Sequence, residues 1–151
     1  MNESDLLAMF GNPVLVPAGM GWLSAQLLKG VLILILHRRI DWGRFTGTGG
    51  MPSSHSAFVV GAAASLGLHY GWNSPLFALG AVLAIIVMYD AAGVRRAAGR
   101  HAARINQIID RMTASGSFEL KPEELKELLG HTPLEILAGA LLGVLIAVAC
   151  S

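Results

Sequence analysis

The sequence predicts an all-α fold: an integral membrane helical bundle of about four transmembrane helices, with further helices at the cytoplasmic interface. Three observations predict it. Of 151 residues, 54% are hydrophobic and 14% are charged, whereas a soluble domain carries about 25% charged residues. The mean hydropathy is +0.58. The apolar residues also gather in four runs, each near the roughly 17–25 residues that cross a bilayer core as a helix. The lone cysteine, Cys150, allows neither an internal disulfide nor a four-cysteine zinc site. The net charge of +1 by itself names no partner, and no nucleic-acid partner is expected.

The first run, residues 14–36, is long enough to span although Pro17, Gln26 and Lys29 interrupt it. The second, 53–70, and the fourth, 132–150, are adequate. The third, 74–92, needs Asp90 to Ala92 as its last turn. Residues 93–130 form a cytoplasmic helical insert. Its first part, AAGVRRAAGRHAARINQIIDRM, is rich in alanine and arginine and reads as a helix. TASGSF is a break. KPEELKELLG is a short amphipathic helix with Pro122 near its start and Gly130 as its C-cap, suited to a membrane surface or to packing on the bundle. With no internal repeat, residues 1–151 read as one membrane-embedded domain.

Charge distribution predicts orientation. Arg38, Arg39 and Arg44 fall in the first loop, and Arg95, Arg96, Arg100, Arg104 and Arg111 in the third. The connection HYGWNSP and both tails carry no Lys or Arg. By the positive-inside rule both basic loops are cytoplasmic and both termini lie outside. Trp22, Tyr70 and Trp72 suit the outer interface, and Trp42 the inner one. The second helix then starts, the third ends and the fourth starts on the same side.

Two polar stretches at those ends hold residues fit for chemistry. In GGMPSSH, Gly49 and Gly50 permit a tight turn, and Ser53, Ser54 and His55 present N–H groups at a helix start, where an anion is favoured. The plainer reading is a serine N-cap followed by an interfacial histidine. In HTPLEILAGALLG, His131 and Glu135 stand four apart on one helix face. A carboxylate bonded to one imidazole nitrogen fixes the tautomer and frees the other as a nucleophile. The plainer reading makes His131 an N-cap-like interfacial residue and Glu135 a packing polar group. Lys29 either snorkels to the inner interface or reaches an anion there, and Gln26, one turn earlier, suggests an inward polar stripe. In YDAAGVRR, Arg95 and Arg96 offer planar forks for phosphate oxygens, with Asp90 placed to orient one of them. Arg95 is preferred over Arg96. His101 reads as solvated, and His37 and His69 as interfacial.

Together these residues resemble the type 2 phosphatidic acid phosphatase superfamily, which includes vanadium-dependent haloperoxidases. GGMPSSH, YDAAGVRRAAG and HTPLEILAGALLG are most similar to its small divergent bacterial and plastid branch, and the resemblance covers roughly residues 17–148. The superfamily pattern is a lysine with an arginine seven residues on, then PSGH, then an arginine six residues before HxxxD. Lys29, Pro52 to His55 (with Ser54 for glycine) and His131 to Glu135 (with glutamate for aspartate) match it. Leu36 and Leu125 stand where the two arginines belong. Arg38 or Arg39 are substitutes for the first, and Arg95, Arg96 or Lys126 for the second. Setting Arg95 six before His101 fails, because Ile105 then occupies the carboxylate position.

The resemblance implies a phosphatase-like domain in a bacterial inner membrane, with a cytoplasmic active site. By it, His131 attacks phosphorus to form a phosphohistidine and Glu135 orients it. His55 protonates the leaving alcohol and then activates water. Lys29, Arg95, Arg96, Asp90 and the backbone around Ser53 and Ser54 hold the substrate. No cofactor and no metal is implied, and the substrate is a membrane lipid phosphate. The missing arginines motivate an alternative: a non-catalytic phospholipid-binding, transport or assembly protein that retains the phosphate pocket. A metal-dependent phosphotransferase is a third, weaker idea, since Asp90 is the only acid beside that motif. The faces of GAAAS and AGALLG suit close helix approach in a homodimer.

Overall fold

The computed structural model describes residues 8–37, 50–115, 125 and 130–151. They form five long helices and no strand. Arg38, Arg39, Arg44, Trp42 and Lys126 lie outside the described residues, as does most of the helix expected over 121–130.

Helix α1 spans Leu15–His37. Asn12 caps its start, its Oδ1 accepting from the N–H groups of Val14 and Leu15 at 2.9 and 3.0 Å. Pro17 falls in the first turn, where a missing N–H costs no helical bond. The helix therefore continues without a break through Gln26 and Lys29. Helix α2 spans Ser54–Tyr70 with Ser53 as N-cap. The chain then turns at Gly71, φ +91°. Trp72 lies over Gly67, where a Cβ would collide with its ring, and meets Phe77 edge-on at 5.0 Å. Helix α3 spans Pro75–Ala92, with Ser74 accepting from the Phe77 N–H and Pro75 opening the first turn. Helix α4, Val94–Ala114, follows directly after Gly93. Helix α5 spans Pro133–Cys150.

Three stretches are long and apolar enough to cross a membrane: Leu15–Ile35, the stretch opening at Pro75 with α3, and Pro133–Cys150. Helix α2 has 17 residues, the lower end of the spanning range. It sits at the centre, packed on α1, α3 and α5, so it requires the least lipid around it. The whole is an all-α integral membrane bundle.

The packing is inverted relative to a soluble core. Ala18, Ala25, Ala57 and Ala147 are fully buried, while Leu27, Ile35, Leu79, Ile85, Leu137 and Leu145 face outward. Lipid tails are as apolar as leucine, so helices in a bilayer associate through close van der Waals contact, and small residues permit it. The seam between α2 and α5 shows this directly. A Cβ on Gly143 would lie 2.8 Å from the Gly61 nitrogen, and one on Gly139 would overlap the Ser53 carbonyl. A Cβ on Gly21 of α1 would lie 3.0 Å from the Ala57 carbonyl oxygen. Gly61, Gly139 and Gly143, the residues that suggested a homodimer face, are thus buried within a single copy. A homodimer requires some other surface.

Candidate active site

Two backbone hydrogen bonds draw three helix ends together. The Ser53 N–H donates to the Glu135 carbonyl at 3.0 Å, and the His131 N–H donates to the Ala91 carbonyl at 3.0 Å. The starts of α2 and α5 and the end of α3 therefore share one end of the bundle. At the other end, the Cys150 thiol on α5 lies 3.7 Å from the Met20 sulfur near the start of α1.

His131 is 3% exposed and immediately precedes α5. Thr132, not His131, is the N-cap. Its Oγ1 accepts from the Glu135 N–H at 3.3 Å, and Glu135 Oε2 accepts from the Thr132 N–H at 2.9 Å. This is a reciprocal capping box, and its T-x-x-E spacing is legible in the sequence. The same Oε2 stands 3.2 Å from His131 Nδ1. A carboxylate only accepts, so Nδ1 carries the proton and Nε2 keeps its lone pair. Nε2 is buried and has no hydrogen-bond partner among the described residues. Burial pushes the His131 imidazole below its ordinary pKa. The Glu135 hydrogen bond and charge pull it back up, and the charges of Lys29 and His55 add to the depression. The ring is therefore neutral at pH 7.

His55, in the first turn of α2, brings its ring centroid to 6.3 Å from that of His131, with the planes 57° apart. Ser53 turns out to be architectural. Its N–H is bonded to Glu135, and its Oγ accepts from the Ser56 N–H at 3.3 Å and the Ser56 hydroxyl at 3.0 Å. Its N–H is therefore committed within the protein and its side chain is fully buried. The N–H groups of Ser54 and His55, the first two of the helix, have no acceptor among the described residues.

An open cleft of about 250 Å³, mouth included, is lined by His55, Val87, Ala91, Arg95 and His131. The Arg95 Nε donates to Asp90 Oδ2 at 2.6 Å, which leaves its two terminal nitrogens for other acceptors. The pair is about half exposed and adds little to stability. What it fixes is the direction of Arg95. Arg96 does not line the cleft and its side chain is exposed. Its backbone instead supports Gly130: a Cβ there would lie 2.7 Å from the Arg96 Cα, at a φ of +84°. Lys29 is 2% exposed, its stem against Gly50. It is enclosed by protein and does not snorkel through lipid. Gln26 Oε1, one turn away, is buried without a partner among the described residues. Among those residues no three His, Cys, Asp or Glu side chains converge as a metal site would require.

The pattern joining the PSSH turn, the arginine of the third loop and the HxxxE turn can be compared with known proteins. The description "Divergent PAP2 family" matches residues 10–146. The chain belongs to that family. It is also 41% identical, over 131 residues, to "Uncharacterized membrane protein YuiD" of Bacillus subtilis (strain 168), a match covering 81% of this chain and 83% of the relative. No solved structure matches.

Within this divergent PAP2 protein, Leu125 stands where the wider superfamily has arginine. Its backbone N–H and carbonyl both bond to the Asn106 side chain, at 3.1 and 2.9 Å, so this position is tied to α4. His101 and Ile105, the rejected alternative pair, are exposed on α4 and do not line the cleft. Val87 and Ala91, the apolar wall, carry no signal that sequence reasoning could detect.

Proposed function

We propose that this divergent PAP2 protein is a metal-independent phosphatase of a lipid phosphate at the cytoplasmic membrane face, acting through a phosphohistidine. One observation carries the reading: His131 Nε2 is buried with no hydrogen-bond partner among the described residues, its ring shares the cleft with a second imidazole 6.3 Å away, and Glu135 fixes its tautomer. A buried polar atom without a partner is costly, and an electrophilic phosphorus would be a suitable occupant of that position.

The lone pair on Nε2 attacks phosphorus, and a P–N bond forms as the bond to the lipid oxygen breaks. Protonated His55 gives its proton to that leaving oxygen. Neutral His55 then takes a proton from water as the water oxygen attacks phosphorus. The P–N bond breaks, inorganic phosphate leaves, and both imidazoles return to their starting states. The Glu135 carboxylate balances the positive charge that His131 acquires on attack. Lys29, Arg95 and the N–H groups of Ser54 and His55 stabilise the equatorial oxygens, and Asp90 holds Arg95 in place. Phosphatidylglycerophosphate, phosphatidate and a polyprenyl phosphate or diphosphate are the candidate substrates. Detergent-purified protein assayed for phosphate release across that panel is expected to show activity that His131→Ala and His55→Ala each abolish. Release that persists in both variants rejects the mechanism.

A second reading rests on the cations. Among the described residues Arg95 is the basic group that lines the cleft, with Lys29 buried where its charge is felt by both imidazoles, and Leu125 is committed to α4. A phospholipid-binding, transport or assembly role with the pocket retained follows if phosphate or lipid phosphate binds without turnover.

A further inference from the structure

Helix α4 has three faces at 100° per residue. Gly99 and Ala102 are buried, and Arg95 on the same side lines the cleft. A second face carries Val94, Ile105, Ile108 and Met112, which are 65%, 45%, 58% and 42% exposed, with the exposed His101 among them. A third carries Arg96, Arg100, Arg104 and Arg111, all exposed. The apolar stripe lies between the buried side and the arginine stripe. Helix α4 follows the membrane-spanning α3 after Gly93, at the end of the bundle that holds the site. Of the other described helices, it packs on α3 alone.

We propose that α4 is an anionic-lipid-binding helix lying in the interface of the leaflet on the site side. Val94, Ile105, Ile108 and Met112 enter the acyl boundary, and Arg100, Arg104 and Arg111 rest on anionic headgroups. Exposed apolar side chains starting where a transmembrane helix ends find hydrocarbon at that depth. A flanking row of arginines finds the negative surface potential. The occupant is the host bilayer itself: an apolar stripe bordered by cations matches an anionic leaflet, and a stripe facing only water would remain unburied. The contact also reaches the site. The first turn of α4 bears Arg95 and supports Gly130, the residue before His131, so seating α4 fixes both sides of the cleft. That consequence, unlike the lipid contact, rests on the phosphatase reading.

The test reads lipid contact and not activity. A single cysteine is placed by Ile108→Cys in a Cys150→Ser background, labelled with an environment-sensitive fluorophore, and the full-length protein is reconstituted in two kinds of vesicle. One is phosphatidylcholine, the other an equal mixture of phosphatidylcholine and phosphatidylglycerol. The probe is expected to be shielded from aqueous iodide in the anionic vesicles and several-fold more open in the neutral ones. Each arginine near an anionic surface contributes about five-fold to seating. The triple variant Arg100→Gln, Arg104→Gln, Arg111→Gln should therefore unseat the helix by roughly a hundred-fold, while the triple lysine variant stays shielded. Equal iodide access in both vesicle types, or shielding unchanged by neutralisation, overturns the proposal. Because no turnover is read, either result leaves the phosphatase reading to its own assay.

Discussion

Glu135→Gln separates two roles that the structure gives to one side chain. Glu135 closes the capping box of α5 and also contacts His131 Nδ1, both through Oε2. Glutamine at this third helical position also completes a capping box, and its carbonyl oxygen can accept from both the Thr132 N–H and the His131 Nδ1–H. Helix and tautomer are thus kept, and the negative charge is lost. A hydrogen bond to a charged group contributes about 1.5–3 kcal/mol. The Glu135 side chain is 20% exposed, so solvent screening reduces this only modestly. The charge matters most when His131 turns positive on attacking phosphorus. At about 1.36 kcal/mol per decade, kcat/KM should fall roughly 10- to 150-fold. The melting temperature should fall by less than about 4 °C, the equivalent of about 1 kcal/mol in a chain of this size. Lipid phosphate turnover and thermal unfolding, measured in one detergent, give both numbers. A variant within two-fold of wild-type kcat/KM would make Glu135 a helix cap alone and refute the reasoning.

The remaining predictions concern the imidazole, the loop before it and the orientation. Burial lowers the His131 pKa, so the unfolded chain binds this proton more readily than the native one. Its contribution to stability is complete above the ordinary value near 6.5 and declines as pH falls below that toward the lowered value. Melting temperatures of wild type and His131→Gln should converge as pH drops from 7 to 5, as a pH series of unfolding scans would record. The acid limb of kcat/KM should likewise fall below 6.5. Gly130→Ala forces a Cβ against the Arg95 and Arg96 backbone at positive φ. Strain of about 1–3 kcal/mol, plus the displaced contact, should lower the melting temperature by several degrees and activity at least ten-fold. Cys150 is exposed at the end of the bundle opposite the site. An impermeant maleimide should label it in intact cells if the cleft faces the cytoplasm, and labelling only after lysis would invert the orientation.

Much of the molecule is readable from one dimension because membranes impose one-dimensional constraints. A helix must satisfy its own backbone in hydrocarbon, so the apolar runs reveal α1, α2, α3 and α5 nearly to the residue. Serine and proline mark the start of α3, and threonine, proline and glutamate that of α5. The i, i+4 spacing of His131 and Glu135 is likewise local, and their contact follows from helix geometry. The homodimer rationale misled for a physical reason. A small residue in a helix states that something approaches closely, but not what. Gly61, Gly139 and Gly143 meet neighbouring helices of the same chain.

What the sequence determined by itself is the five described helices and the shared end at which three of them meet, and it named the side chains proposed to hold a phosphate. Tertiary structure alone decided which of them meet. The backbone bonds from Ser53 to Glu135 and from His131 to Ala91 bring His55 opposite His131. They also occupy the Ser53 N–H, and Val87 and Ala91 form the cleft wall. The support of Gly130 by Arg96 separates that arginine from Arg95, its neighbour in the chain. Those choices depend on contacts between residues tens of positions apart, and only the close approach of glycine-lined helices determines their geometry.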